Sequence, residues 1–458
     1  MRSNAPGSAF TRRGFLQSGL LAAGAMALPA VLAGCSQSAG KTGQKGALNV
    51  WWWGEQEAAG MKGWMNSTVA AYNKSGRDKL GQVKAVLQQS DTLYTAFRTA
   101  AAAKTGPDIQ YFWGGTQALE DVWAGRVAPL DGALPKSLIE RVPKDSRRET
   151  YWDGHQWGLP FYELNTAFAY NKKMFERAGL DPENPPTTWD DFIAALAALK
   201  KSGVTPFGAG FKDAYLGGWL VSYFGQQEFD SVEDAIAPFR GDVEYSGEKY
   251  FGWLDRVKEL IDKGYFNDDV LSLDLYQGQQ LFETGKAAIT NSAQPQIVGF
   301  ERELGSDTVG VMLAPVWGTG KLAKSFPGAS QVLTMTSFSH KEDRSAKFLE
   351  YIREPAMMKA MYDACGAIAP DSKFDNAWLT SNTDKRMAEL KTQMPSFWFQ
   401  YYYPFPFENN GVTPAVQQLF QPGGTIAAGQ KMLTDSISKW KKQQASEVRA
   451  YKKWELLK

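Results

Sequence analysis

From Ala47 onward, short apolar runs alternate with amphipathic helical stretches. That alternation restricts the chain to an α/β architecture with largely parallel sheets. "ALNVWW" reads as a first strand, "AGMKGWMNSTVAAYNK" as a helix and "VKAVLQQ" as a second strand. "DTLYTAFRTAAAAKTG" reads as a second helix, with Asp91 as its N-cap and Gly106 beyond its end. "PDIQYFW" is a third strand, closed by Gly114 and Gly115. This start places Glu55, Ser90 and Trp113 just past the C-terminal ends of successive strands, the edge where open α/β sheets bind ligands. Further on, Thr188 and Asp191 have capping-box spacing ahead of a helix whose inner face is Phe192, Leu196 and Leu199, with Gly203 at its end. No fixed-period repeat and no long disordered tract follows Gly46.

Three consecutive tryptophans end the first strand. Strand faces alternate, so Trp51 and Trp53 go to one face and Trp52 to the other. Trp53 is the ring nearest the ligand edge. Its replacement by alanine is expected to weaken binding with little loss of stability.

Residues 1–34 precede the fold. They hold Arg2, Arg12 and Arg13, no acidic residue, and an uncharged apolar run from Gly19 to Ala33. That run is short for a membrane span and right for a signal-peptide core. "TRRGFLQ" resembles the twin-arginine export signal, and "LAGC" a bacterial lipobox, with Cys35 as the lipidated residue after cleavage. Stable anchoring takes more than one acyl chain. Residues 35–46 then form a flexible, glycine-rich tether.

Removing residues 1–34 turns the formal charge of +1 into −2. That balance gives no reason to expect nucleic acid as a partner. If Cys35 is acylated, Cys365 has no disulfide partner and reads as a buried small apolar residue. With only two histidines, His155 and His340, an N/S metal site is not expected, nor is a cofactor. There is no G-x-S-x-G elbow and no Walker pattern, and "GTGKLA" is followed by no convincing helix.

From Tyr151 the motifs become specific: "DGHQWGLP", "YNKKMFERAGL" and "PPTTWDDF", then "QLFETGKAAITNSAQP", "MLAPVWGTGKLAKSFPGASQVLTMTSFSHKEDRSAKFLEYI" and "TIAAGQKMLTDSISKW". Together they resemble the family-one extracellular solute-binding proteins of ABC importers, the maltose and oligosaccharide-binding type, over essentially the whole mature chain. The resemblance implies a two-lobe periplasmic-binding-protein-like fold, each lobe a mostly parallel sheet flanked by helices, with the ligand cleft at the hinge. It implies lobe 1 from 47–160 plus 297–352 and lobe 2 from 161–296 plus 353–458. It departs at Ala293, Gln294 and Pro295, where some members carry a sugar-stacking tryptophan.

Cleft positions carried over by the resemblance are Trp53, Gly54 and Glu55; Gln89, Ser90 and Asp91; Trp113, Gly114, Gly115 and Thr116; and Tyr162, Glu163 and Asn165 at the hinge. They continue with Asp213, Tyr215 and Trp219; Gln294; Phe326, Gly328 and Ala329; and Trp398, Tyr402, Glu408 and Asn409. The set is rich in rings, carboxylates and amides and holds no arginine. Rings suit the C–H faces of a sugar, and acceptors suit its hydroxyls. The expectation is a monomeric, membrane-anchored lipoprotein outside the cytoplasm, which binds a neutral oligosaccharide, delivers it to importer permease subunits and is not an enzyme. The alternatives are a binder of the same fold for a polyol or other solute, and a secreted glycosidase.

Overall fold

The computed structural model describes residues 44–213 and 215–457. The export signal, the lipidation at Cys35 and most of the tether lie outside the described residues. Six elements open the fold: β1 (Leu48–Trp52), α1 (Met61–Lys74), β2 (Val83–Leu87), α2 (Leu93–Ala102), β3 (Ile109–Trp113) and α3 (Thr116–Trp123). In β1, Leu48, Val50 and Trp52 are buried and the residues between them are half-buried, as period-two alternation requires. Asp91 does not cap α2. The cap position is Thr92, which makes no side-chain capping bond, and Asp91 is exposed.

The chain continues through β4 (Leu159–Asn171), α4 (Trp189–Lys201), β5 (Thr205–Gly208), α5 (Leu216–Phe224), α6 (Leu275–Glu283), β6 (Ala287–Ala293), α7 (Gln294–Leu304), β7 (Val309–Met312), β8 (Phe326–Thr336) and α8 (Asn382–Thr392). The Thr188 hydroxyl accepts from the Asp191 N–H at the start of α4, and Gly203 follows its end at φ 85°.

β1 runs parallel to β2 and β3, and β5 runs parallel to β6. The long strands β4 and β8 join these two parallel blocks. The first half of β4 pairs antiparallel with β8, from Asn165 opposite Gly328 to Leu159 opposite Leu333. From Thr166 it pairs instead with β6, and from Phe168 with β7 as well. β8 also lies against β3, with Gln331 opposite Trp113. Every residue of β4 and β8 is buried. Their polar members, Glu163, Asn165, Thr166, Asn171, Ser330, Gln331, Thr334 and Thr336, therefore need partners inside the protein.

Candidate functional site

Two acids in the turn between β1 and α1 have different surroundings. Glu55 faces the start of α1, where its carboxylate accepts from the N–H groups of Gly60, at 3.2 Å, and Lys62. It satisfies helix donors that would otherwise be orphaned, at the end of the dipole that favours an anion. Glu57 turns inward. Its N–H bonds to the Gly54 carbonyl at 3.1 Å, and the residue is only 6% exposed.

The Glu57 carboxyl sits among side chains from many elements. Tyr111 comes from β3, Tyr162 from β4, Gln331 from β8 and Tyr401 from the short 3-10 turn Phe399–Tyr401. From the other block, Tyr215, just before α5, and Tyr276, on α6, also feel its charge. Burial pushes the Glu57 carboxyl up to about 7, against the opposing pull of Gln331 and Tyr162. The Tyr401 hydroxyl donates to Gln331 Oε1 at 3.1 Å. Four buried groups here make only loose hydrogen bonds, and make them with one another: the Glu57 carboxyl with the Gln331 amide and the Tyr162 hydroxyl, and the Tyr162 hydroxyl with that of Tyr111.

An aromatic wall adjoins them. The Trp53 ring lies 5.9 Å from Tyr111 and 5.4 Å from Trp113, and Trp113 stacks on Tyr94 at 5.4 Å. Trp113 and Tyr215 are half-buried. The Tyr215 hydroxyl lies 3.5 Å from an Asp213 carboxylate oxygen, and burial raises the Asp213 carboxyl. Gly54 (φ 143°) lets the chain turn tightly here; a Cβ would sit 2.6 Å from Met61 Sδ and 3.1 Å from the Tyr162 hydroxyl. Trp53 itself is 5% exposed. Its truncation to alanine therefore removes core as well as wall, and a stability cost is expected where the sequence suggested little.

The remaining carried-over residues have other partners. Gly115 makes room for the 398–405 segment, since a Cβ there would lie 1.8 Å from the Tyr401 carbonyl oxygen, and Gly114 makes room for β8, where a Cβ would lie 2.5 Å from the Ser330 carbonyl oxygen. The Thr116 hydroxyl donates to the Tyr403 carbonyl. Trp398 is fully buried edge-on to Trp219, at 5.9 Å, and Tyr223, at 5.1 Å. Tyr402 stacks on Trp454 at 5.5 Å, and its hydroxyl accepts from Arg148 Nε at 2.9 Å. Glu163 pairs with Lys391 at 2.5 Å and accepts from Asn165 Nδ2 at 2.6 Å. Gln294 donates to the Gly366 carbonyl at 2.8 Å and to the Asp384 carboxylate. Phe326 packs in a small core with Phe282, Ile297 and Met387. Gly328 and Ala329 are buried in β8 opposite Asn165 and Leu164. Gln89, Asp91 and Asn409 are exposed, and Ser90 is half-buried.

The structure thus gathers Trp53, Gly54, Trp113, Tyr162, Asp213 and Tyr215. It adds Glu57, Tyr94, Tyr111, Tyr276, Gln331 and Tyr401, which the sequence reading did not single out. Two of these carried a signal. Tyr111 lies two residues before Trp113, on the same face of β3, and Gln331 is a buried amide inside an apolar strand. A cavity of about 600 Å³ lies elsewhere, against β7, α8 and the Pro185–Thr187 turn, and includes none of these groups.

Glu408 gives a pH prediction. Its carboxylate accepts from the Gly218 N–H at 3.0 Å and from the Tyr403 hydroxyl, yet burial dominates and raises it to about 8. A carboxyl raised on folding binds its proton more tightly in the native state. Its contribution is therefore full below the ordinary value of 4.5 and is lost as pH rises towards about 8. Glu408→Gln should flatten the fall of melting temperature across that interval; an unchanged slope would contradict the assignment.

Residues 54–359 match the family model for bacterial extracellular solute-binding proteins. The chain belongs to that family. A binding protein of Brucella abortus is 26% identical over 266 residues, which is 57% of this chain and 62% of that one. The chain thus spans about six-tenths of that relative's length. The sn-glycerol-3-phosphate-binding periplasmic protein UgpB of Escherichia coli is 26% identical over 217 residues, 44% of this chain and 46% of UgpB. Among solved structures, a chitin oligosaccharide binding protein superposes with a TM-score of 0.74 at 21% identity, covering 86% of this family member and 100% of that chain. That likeness bears on the fold, which is the mixed α/β, periplasmic-binding-protein-like arrangement that the motifs from Tyr151 onward implied.

Proposed function

We propose that the chain is the substrate-binding subunit of an ABC sugar importer. In this reading it is a monomeric lipoprotein, exported by the twin-arginine route and tethered outside the cell membrane through Cys35. The block of β1–β3 and the block of β5–β6 are the cores of its two lobes. A neutral oligosaccharide is held between them and handed to the permease without chemical change. Closure around the ligand is a population shift between two arrangements, which the permease distinguishes.

One observation carries the reading. The wall of Trp53, Trp113 and Tyr94 adjoins a buried carboxyl whose charge Tyr215 also feels, and no cation is among the groups that shift that carboxyl. Rings beside acceptors fit a sugar. A phosphate would require Arg or Lys. The likeness to a chitin oligosaccharide binding protein supports the same direction. The match to UgpB, whose name specifies sn-glycerol-3-phosphate, favours a phosphate ester as the second reading.

A thermal-shift panel separates the two. A neutral oligosaccharide at 100 times its Kd should add about 2.7 kcal/mol of stability and raise the melting temperature. If sn-glycerol 3-phosphate raises it and no saccharide does, the sugar reading fails. If a saccharide is consumed during the assay, the chain is not a binder alone.

A further inference from the structure

Strand β7 has one neighbour, β4, and its other edge carries no strand among the described residues. The Lys172 N–H bonds to the Thr308 carbonyl at 2.8 Å, which sets the phase of this antiparallel ladder. Gly310 and Met312 then exchange bonds with Tyr170 and Phe168, while Val309 and Val311 turn their backbone groups the other way. The Val309 N–H returns to the Gly305 carbonyl at 3.3 Å. The Val309 carbonyl and both backbone groups of Val311 are left at the cavity of about 600 Å³ that these residues line.

That edge is recessed. On one face α8 packs through Met387, in a core shared with Val309 and Val311. On the other lies Tyr170: a Cβ on Gly310 would stand 2.3 Å from its ring, and its hydroxyl donates to the Pro182 carbonyl at 2.7 Å. The space left has the volume of one short strand. Four residues of strand take about 13 Å of length, about 4.8 Å across the sheet and about 10 Å between layers, or about 620 Å³. The lining includes Pro185, Pro186, Leu313, Leu390 and Met394, with Lys172, Lys324 and Arg386 against a single acid, Glu183. Glu183 pairs with Lys172 at 2.9 Å, and Glu389 answers Arg386 at 2.7 Å. Lys324 is exposed and has no carboxylate partner among the described residues.

We propose that the groove along the free edge of β7 takes an extended segment of a partner protein as an added strand, about four residues long, with apolar side chains and a carboxylate that meets Lys324. Strand addition satisfies outward N–H and C=O groups together, and pockets for alternate side chains give it specificity. A small apolar anion would leave the carbonyls of Val309 and Val311 unmet. A second copy carries the same edge equally recessed, so the two edges cannot reach each other. This site is separate from the recess at Glu57, and it stands whether or not that recess holds a sugar.

The experiment titrates the mature chain by calorimetry with peptides acetyl-X-Thr-X-Glu-amide, X being Val, Ile, Leu or Phe. At least one is expected to bind. The same peptide with every internal amide N-methylated should bind about tenfold more weakly or worse, since it cannot complete the ladder. Lysine in place of its glutamate should cost about fivefold. Val311→Pro removes an N–H that points away from β4, so the ladder with β4 is kept and peptide binding is lost. Lys324→Glu should reverse the preference, favouring the lysine peptide. Neither variant should change saccharide affinity.

If no peptide binds, the inference is overturned, and the lysines only guard the edge against pairing. Equal binding of the N-methylated form overturns it in favour of a pocket for apolar anions. A concentration-dependent dimer in sedimentation, lost in Val311→Pro, overturns it in favour of a second copy. Should Val311→Pro fail to fold, the N-methylated peptide and the charge reversal at Lys324 decide.

Discussion

Gly115→Ala should lower the stability of the chain by about 3 kcal/mol or more, since it combines a forbidden backbone conformation with an immovable clash. Gly115 sits at φ 64° and ψ −142°, a region open to glycine alone. Its missing Cβ is the space that the Tyr401 carbonyl occupies, 1.8 Å from where the carbon would stand. Backbone cannot swing away as a flexible side chain can. The strain therefore falls on the Phe399–Tyr401 turn, and through the Tyr401 hydroxyl on Gln331 and the Glu57 recess. Gly125 provides the control. It also has positive φ, at 70°, but nothing lies within 4 Å of its Cβ position, so Gly125→Ala should cost only about 1–2 kcal/mol. Equal denaturation midpoints for the two variants would mean that the clash is relieved at no cost. Any Gly115→Ala protein that still folds should also bind saccharide less tightly.

Asp371→Asn should cost about 3–5 kcal/mol, the range seen when one partner of a buried ion pair is removed. Asp371 accepts from Arg141 Nη2 at 2.7 Å and from Arg353 Nη2 at 3.0 Å. The Arg353 and Asp371 side chains are 1% and 0% exposed, so the variant leaves a guanidinium in the interior without its counter-charge. Arg353 also donates to the carbonyls of Pro160, at 2.9 Å, and Pro370, at 2.6 Å, which ties the start of β4 to the distant loop that holds Pro370 and Asp371. Burial on its own would raise the Asp371 carboxyl. Arg141 and Arg353 outweigh burial and hold it below the usual value of 3.8. A carboxyl lowered on folding stabilises above its unfolded value and loses that contribution as pH falls through the folded one. The variant should therefore lose part of the acid limb of the stability profile. A wild-type-like urea midpoint would show that the arginines find another counter-charge.

How far the sequence reached differs between fold and site, for physical reasons. The β-α-β-α-β start was legible because its periodicities are local: Leu48, Val50 and Trp52 alternate, and Phe192, Leu196 and Leu199 recur on one helix face. The site was legible only in part, because it is assembled from distant elements. Both Glu55 and Glu57 follow β1, and their spacing cannot say which of them turns inward. The turn from Gly54 decides it, sending Glu55 to the start of α1 and Glu57 to Tyr162. The aromatic run near residue 400 read as ligand contacts because rings serve cores and sugars equally well. The stacking of Tyr402 on Trp454 and the burial of Trp398 against Trp219 depend on partners far along the chain. Trp53 belongs to both classes, a ring within the core that also walls the recess.

The way β8 seals the first block also bears on how the chain is made. β3 gains its second neighbour only when β8 pairs with it, and the bond between Thr334 and Gln110 spans 224 positions. At ordinary translation speeds of about 5–20 residues per second, that interval is roughly 10–45 s, during which the emerging chain holds β3 as an open edge. Unpaired edges are templates for wrong pairing. The nascent chain should therefore depend on chaperone cover until Thr336 has left the ribosome, and truncations ending before Phe326 should aggregate rather than yield a free first block.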